Sequence, residues 1–126
     1  MKKILVIEDE PAVLENLLEM LEAENFDAIG AENGLIGVQL AKEQIPDLII
    51  CDAIMPELDG YGVLAAWRQD PATAAIPFIF LSAQAAKADF RQGIEMGADD
   101  YLSKPFTRNQ LLRALAKQLS LASVPG

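Results

Sequence analysis

Three short runs along the chain are apolar at every position: residues 4–7 (ILVI), 48–51 (LIIC) and 78–81 (FIFL). A strand with one wet face alternates, so unbroken runs of this length predict strands buried on both faces, as in a helix-covered parallel sheet. Two weaker segments, 26–31 and 101–102, are shorter or more polar and suit sheet edges. Between the strands lie helical patterns. Leu14, Leu17, Leu18 and Leu21 recur at helix spacing while Glu15, Glu19 and Glu22 take the opposite, solvated face. The last helix repeats the device with Leu111, Leu112, Leu115 and Leu119, opened by Thr107 and Gln110 at capping-box spacing. Residues 33–44 and 60–69 read as further helices, although Gly34, Gly37 and Gly62 lower the intrinsic preference. A fourth helical stretch, 85–96, has only Phe90 and Ile94 as strong apolar anchors. Alternating strand and helix predicts a doubly wound α/β fold, because parallel strands need right-handed crossovers. With the weak strands outermost, five strands take the order 2-1-3-4-5 among five helices.

Composition narrows the function classes. At 126 residues the chain has room for one domain. Nineteen Asp and Glu against ten Lys and Arg give a net charge of -9, which repels nucleic-acid backbones and anionic membranes. Direct nucleic-acid binding is not expected. The single cysteine, Cys51, lies inside an apolar run and excludes an internal disulfide; with no histidine present, zinc ligands are missing too. No apolar run approaches the roughly 20 residues of a membrane span, and acid at Glu8 interrupts the first run too early for a signal peptide. These features fit a cytoplasmic protein with no membrane partner.

The chemistry is expected where such sheets bind ligands, beyond the carboxyl ends of the strands at the point where the winding reverses. Strand one ends in Glu8-Asp9, strand three in Asp52, strand four in Ser82, and strand five runs to Lys104. Clustered carboxylates repel and need a cation to offset them. Magnesium is the natural candidate, since it prefers oxygen ligands, takes a few carboxylates and leaves room for phosphate oxygens. An aspartate so neutralised can attack phosphorus and form an acyl phosphate. Ser82 and Lys104 are placed to hold the phosphoryl oxygens.

Four segments, 4–11 (ILVIEDEP), 48–60 (LIICDAIMPELDG), 81–83 (LSA) and 97–106 (GADDYLSKPF), resemble in order and spacing the signatures of bacterial response-regulator receiver domains. The resemblance covers nearly the whole chain and implies the flavodoxin-like receiver fold, with residues 1–121 as the domain and 122–126 as a tail. It implies that Asp52 is the phosphoacceptor and that Glu8 and Asp9 form the acid pair for Mg2+, with the backbone carbonyl of Ile54 as a further ligand. Ser82 and Lys104 are then the phosphoryl contacts, and Tyr101 the aromatic that turns inward when Asp52 is phosphorylated. Pro105 matches a cis peptide bond, the isomer only an X-Pro bond makes cheap. The implied donor is a sensor histidine kinase or a histidine phosphotransfer protein. The implied surface for a homodimer or an output partner joins the fourth helix, fifth strand and fifth helix. Such a chain is a signalling switch and not an enzyme, catalysing only its own phosphorylation and dephosphorylation. It reads either as a stand-alone receiver or as one cut from a longer regulator.

Taken singly, these residues have plainer readings. Asp9 is equally a cap for the first helix with Pro11 in its first turn. Asp52 suits a turn, Ser82 a helix cap and Lys104 a solvated lysine; only their joint position at the switch point reverses the balance. Asp59-Gly60 and Asp99-Asp100 read as loop and cap chemistry, and Met55, Trp67 and Cys51 as packing residues. A haloacid-dehalogenase-type phosphatase ranks lower because Ile54 stands where such enzymes carry a second acid. A flavin carrier ranks lower because the loop 8–11 is acidic and lacks the glycines and hydroxyls that a phosphate needs.

Overall fold

The computed structural model describes residues 2–53, 55, 58–82 and 97–119. Within them the chain runs β1 (Lys3–Ile7), α1 (Pro11–Ala23), β2 (Asp27–Ala31), α2 (Gly34–Gln44), β3 (Leu48–Asp52), α3 (Gly60–Gln69), β4 (Phe78–Ser82), β5 (Asp100–Ser103) and α4 (Arg108–Leu119). The five strands form one parallel sheet in the order β2-β1-β3-β4-β5, as the strand pattern predicts. Four helices lie among the described residues, and the helix expected over 85–96 falls outside them. The last helix of the sequence reading is therefore α4.

The unbroken apolar runs have a simple cause in the pleat. Side chains alternate across a strand. Ile4 and Val6 of β1, Leu48 and Ile50 of β3, and Ile79 and Leu81 of β4 pack with Leu17 and Leu21 of α1 and Leu111 and Leu115 of α4. Their neighbours Leu5, Ile7, Ile49, Cys51, Phe78 and Phe80 pack on the other face with Val63, Leu64 and Trp67 of α3. The first face is aliphatic. The second holds an aromatic chain in which Trp67, Phe78, Phe80 and Tyr101 follow one another at centroid distances of 6.4, 5.0 and 6.2 Å. The central strands are almost wholly buried, whereas β2 and β5 keep more exposed positions, as edge strands do.

Helix starts follow their local chemistry. Thr107 and Gln110 form the expected reciprocal capping box: the Thr107 N–H donates to Gln110 Oε1 at 2.8 Å and the Gln110 N–H to Thr107 Oγ1 at 3.1 Å. Asn33 caps α2 by accepting from the Ile36 N–H, and Asp59 caps α3 by accepting from the Gly62 N–H. The cap position of α1 is Glu10, with Pro11 in the first turn and no side-chain cap bond. The cap reading of Asp9 thus fails, which leaves that carboxylate to the sheet edge.

Gly60 brings α3 against the end of β3. A Cβ at this position would lie 2.4 Å from the Asp52 carbonyl oxygen and 2.8 Å from Ala53 Cα, so no side chain fits without moving backbone. Its N–H donates to the Ala53 carbonyl at 3.0 Å. Gly60→Ala is expected to destabilise the fold by about 1–3 kcal/mol, the usual cost of overpacking a filled site. Urea unfolding would read it, and an unchanged midpoint would show that the two segments can part freely.

Candidate functional site

Three of the strands that lead to candidate residues, β1, β3 and β5, are pinned one residue past their ends. The Glu8 N–H donates to Ala31 O at 3.0 Å, the Ala53 N–H to Leu81 O at 2.7 Å, and the Lys104 N–H to Ser82 O at 2.7 Å. The pleat then decides where side chains go. Glu8 continues the alternation of Ile4 and Val6, Asp52 that of Leu48 and Ile50, and Lys104 that of Leu102, all three on the aliphatic side. Ser82 continues the row of Phe78 and Phe80 on the aromatic side, the side that also holds Tyr101.

The resulting cluster is compact and buried. One carboxylate oxygen from each of Glu8, Asp9 and Asp52 lies within 4.8 Å of the others. Glu8 is 0% exposed and Asp52 5%. The Lys104 ammonium bridges two of the acids, 2.5 Å from Glu8 Oε1 and 3.1 Å from Asp52 Oδ2. The second oxygen of Glu8 accepts the Glu10 N–H at 3.3 Å. Two buried carboxylates therefore share one half-buried cation.

The electrostatic consequence is a strained carboxyl. Burial and the neighbouring Asp52 outweigh the bonds from Lys104 and Glu10 and push Glu8 from 4.5 up to about 7. Burial works against the Lys104 charge as well, yet its bonds to Glu8 and Asp52 prevail and raise its pKa above the ordinary 10.5. Burial also pushes the Cys51 thiol well above its usual range, which fits a packing residue and no nucleophile.

Glu8, Asp9, Asp52 and Lys104 are thus brought together. Ser82 is buried at the end of β4, in register with Ser103, at the same sheet edge. The Lys104-Pro105 bond is cis. Tyr101 is only 9% exposed, with its ring centroid 6.2 Å from that of Phe80. Ile54, expected to offer its carbonyl, lies outside the described residues. Composition gave no sign of one feature beside the cluster: an open groove of about 610 Å³ lined by Ala12, Val13, Asn16, Lys104, Pro105 and Phe106. The three carboxylates suit a small hard cation, since all their donors are oxygen and such an ion offsets both the burial and the neighbouring Asp52 that raise Glu8.

Comparison with known proteins agrees with this geometry. The family model described as response regulator receiver domain matches residues 4–116. The DNA-binding dual master transcriptional regulator RpaA of Synechocystis sp. is 40% identical over 121 residues, 94% of this chain and 50% of RpaA. Protein PilH of Pseudomonas aeruginosa is 36% identical over 115 residues, 91% of this chain and 95% of PilH. The chain thus spans about half the length of RpaA and nearly all of PilH. The solved receiver domain of a sensor histidine kinase from Pseudomonas aeruginosa, with magnesium coordinated in its active-site cleft, has a TM-score of 0.88 and 31% identity; the match covers 94% of this chain and 98% of that one.

The raised Glu8 pKa has a signed consequence for the metal-free protein. A carboxyl whose folded pKa exceeds its unfolded value favours folding when protonated, so its contribution is full below about 4.5 and lost as pH rises through about 7. In chelator, the stability of the unaltered chain relative to Glu8→Gln should therefore increase as pH falls from 7 toward 4.5. Denaturant unfolding at several pH values checks this, and a flat difference would mean that Glu8 titrates normally.

Proposed function

Because the chain belongs to the response regulator receiver domain family, we propose that it is a phosphorylation switch of two-component signalling in which Asp52 accepts the phosphoryl group. The observation that carries this reading is the meeting of Glu8, Asp9, Asp52 and Lys104 at one sheet edge. The donor is a phosphohistidine on a sensor histidine kinase or a histidine phosphotransfer protein. An Asp52 carboxylate oxygen bonds to phosphorus as the phosphorus–nitrogen bond breaks, and the electron pair leaves with the imidazole, which takes up a proton. The product is an acyl phosphate.

The chain's own residues supply positioning and charge, the main requirements of phosphoryl transfer. Lys104, held 3.1 Å from Asp52, lies where an ammonium can meet the incoming phosphoryl oxygens. The Ser82 hydroxyl, from the end of β4, offers a second donor. Glu8, Asp9 and Asp52 would hold Mg2+, with the Ile54 carbonyl as the further ligand that the family resemblance implies. When bound, magnesium supplies positive charge that offsets both the clustered carboxylates and the phosphoryl oxygens. The groove beside Lys104 gives a donor protein an approach to this edge.

Phosphorylation adds about -1.5 to -2 charge units at the strand ends. Ser82 and Lys104 answer that charge, and the face formed by β5 and α4 carries the change to a second copy or an output partner. Part of that face is a hollow of about 290 Å³ lined by residues including Tyr101, Arg113 and Lys117. In this reading the chain acts on no substrate but itself and works in the cytoplasm. Among the described residues, no helix is long and apolar enough to cross a membrane.

Incubation with acetyl phosphate and magnesium, followed by intact mass, tests the assignment. The unaltered chain should gain one phosphoryl group and Asp52→Asn none. Equal gain in both would remove Asp52 from its role.

A further inference from the structure

Far from the acidic pocket, the last turn of α3 carries an arginine whose bonds the proposed chemistry does not use. Arg68 donates from Nε and Nη2 to the Gly97 carbonyl at 3.2 and 2.6 Å, and from Nη1 to the Ala74 and Ile76 carbonyls at 2.8 and 2.9 Å. Its Nη2 also donates to Asp99 Oδ2 at 2.8 Å. That same carboxylate oxygen accepts the Phe78 N–H at 2.8 Å, while the Asp99 N–H donates to the Phe78 carbonyl at 2.8 Å. Gly97 takes φ +105, a backbone region open to glycine, and so turns its carbonyl to the guanidinium without strain. One planar cation thus ties the end of α3 to the starts of β4 and β5.

Those two strands lead to the pocket. β4 runs from Phe78 to Ser82 and β5 from Asp100 toward Lys104, in register with each other. α3 closes the path from the other direction, since its first residue, Gly60, is fitted against Asp52 and Ala53. The clasp and the phosphoryl contacts are the two ends of one frame, roughly 13 Å apart at about 3.3 Å per strand residue.

We propose that Arg68 is a positioning residue: by clasping Gly97 and Asp99 it sets where β4 and β5 deliver Ser82 and Lys104 to Asp52. The carboxylates Glu8, Asp9 and Asp52 stand on or just past β1 and β3, and Arg68 donates to no residue of either strand. The pocket therefore divides into a carboxylate half and a phosphoryl half, and Arg68 governs only the second. The proposal rests on the receiver reading for its chemistry.

The test compares the unaltered chain with Arg68→Met, Arg68→Lys and the milder Asp99→Asn, at temperatures where urea titration shows all four folded. Three quantities are read: magnesium affinity by calorimetry, the rate of phosphorylation by acetyl phosphate, and the Lys104 side-chain NMR signal. In Arg68→Met, phosphorylation should slow about tenfold, the scale of a sub-ångström misplacement of catalytic groups. The Lys104 signal should shift and magnesium affinity should not fall. Asp99→Asn should move the same quantities less, and Arg68→Lys should not restore them, because an ammonium cannot present the planar fork.

An unchanged rate with an unmoved Lys104 signal would overturn the proposal. So would a parallel loss of magnesium affinity and rate, the mark of general loosening, or full restoration by Arg68→Lys. If the unaltered chain takes no phosphoryl group, the receiver reading fails by itself. The Lys104 signal in Arg68→Met still decides whether Arg68 positions it.

Discussion

One ammonium between two buried carboxylates holds the functional end of this molecule together. Glu8 and Asp52 are sealed from water on neighbouring strands, and Lys104 reaches both from a third. Taking charges out of water costs several kcal/mol per ion, and the loss is offset only when partners and geometry are good. Here the offset is incomplete. Two acids meet one base, and burial together with the neighbouring Asp52 lifts the Glu8 carboxyl to about 7. A site left short of positive charge is one made to receive more of it.

The same pleat serves core and chemistry. Ile4 and Val6 enter the aliphatic layer, and the next residue of that parity is Glu8; Leu48 and Ile50 likewise lead to Asp52. A one-residue slip in either strand would send its carboxylate to the opposite face along with every apolar side chain. Register is thus enforced by hydrophobic burial, and the acidic cluster inherits its accuracy from that larger effect. The fold and the site form as one object.

Much of this was legible in the residues. Unbroken apolar runs announced β1, β3 and β4 because a helix covers each of their faces. The polar mix of 27–31 and the brevity of the last strand announced the edges, which fixed the order. Thr107 and Gln110 marked their helix start because a capping box is written in side chains. Other features were hidden because their partners are backbone atoms or conformers. Arg68 spends most of its donors on carbonyls of Gly97, Ala74 and Ile76, which no residue type encodes. The choice of Glu10 over Asp9 at the start of α1 depends on where the chain leaves β1, against the stronger capping preference of Asp. Ile45 ends α2 at φ 43, a place where sequence rules look for Gly or Asn. The packing of Tyr101 beside Phe80 depends on its rotamer, and composition carries no rotamers.

The strand order also fixes a direction. β1, β3 and β4 have strands on both flanks and helices above and below, so a displacement at their ends meets packed matter on every side. Among the described residues, β5 joins the pocket, through Lys104, to a flank with no further strand beyond it. Lys104 thus stands between the packed interior of the sheet and its border.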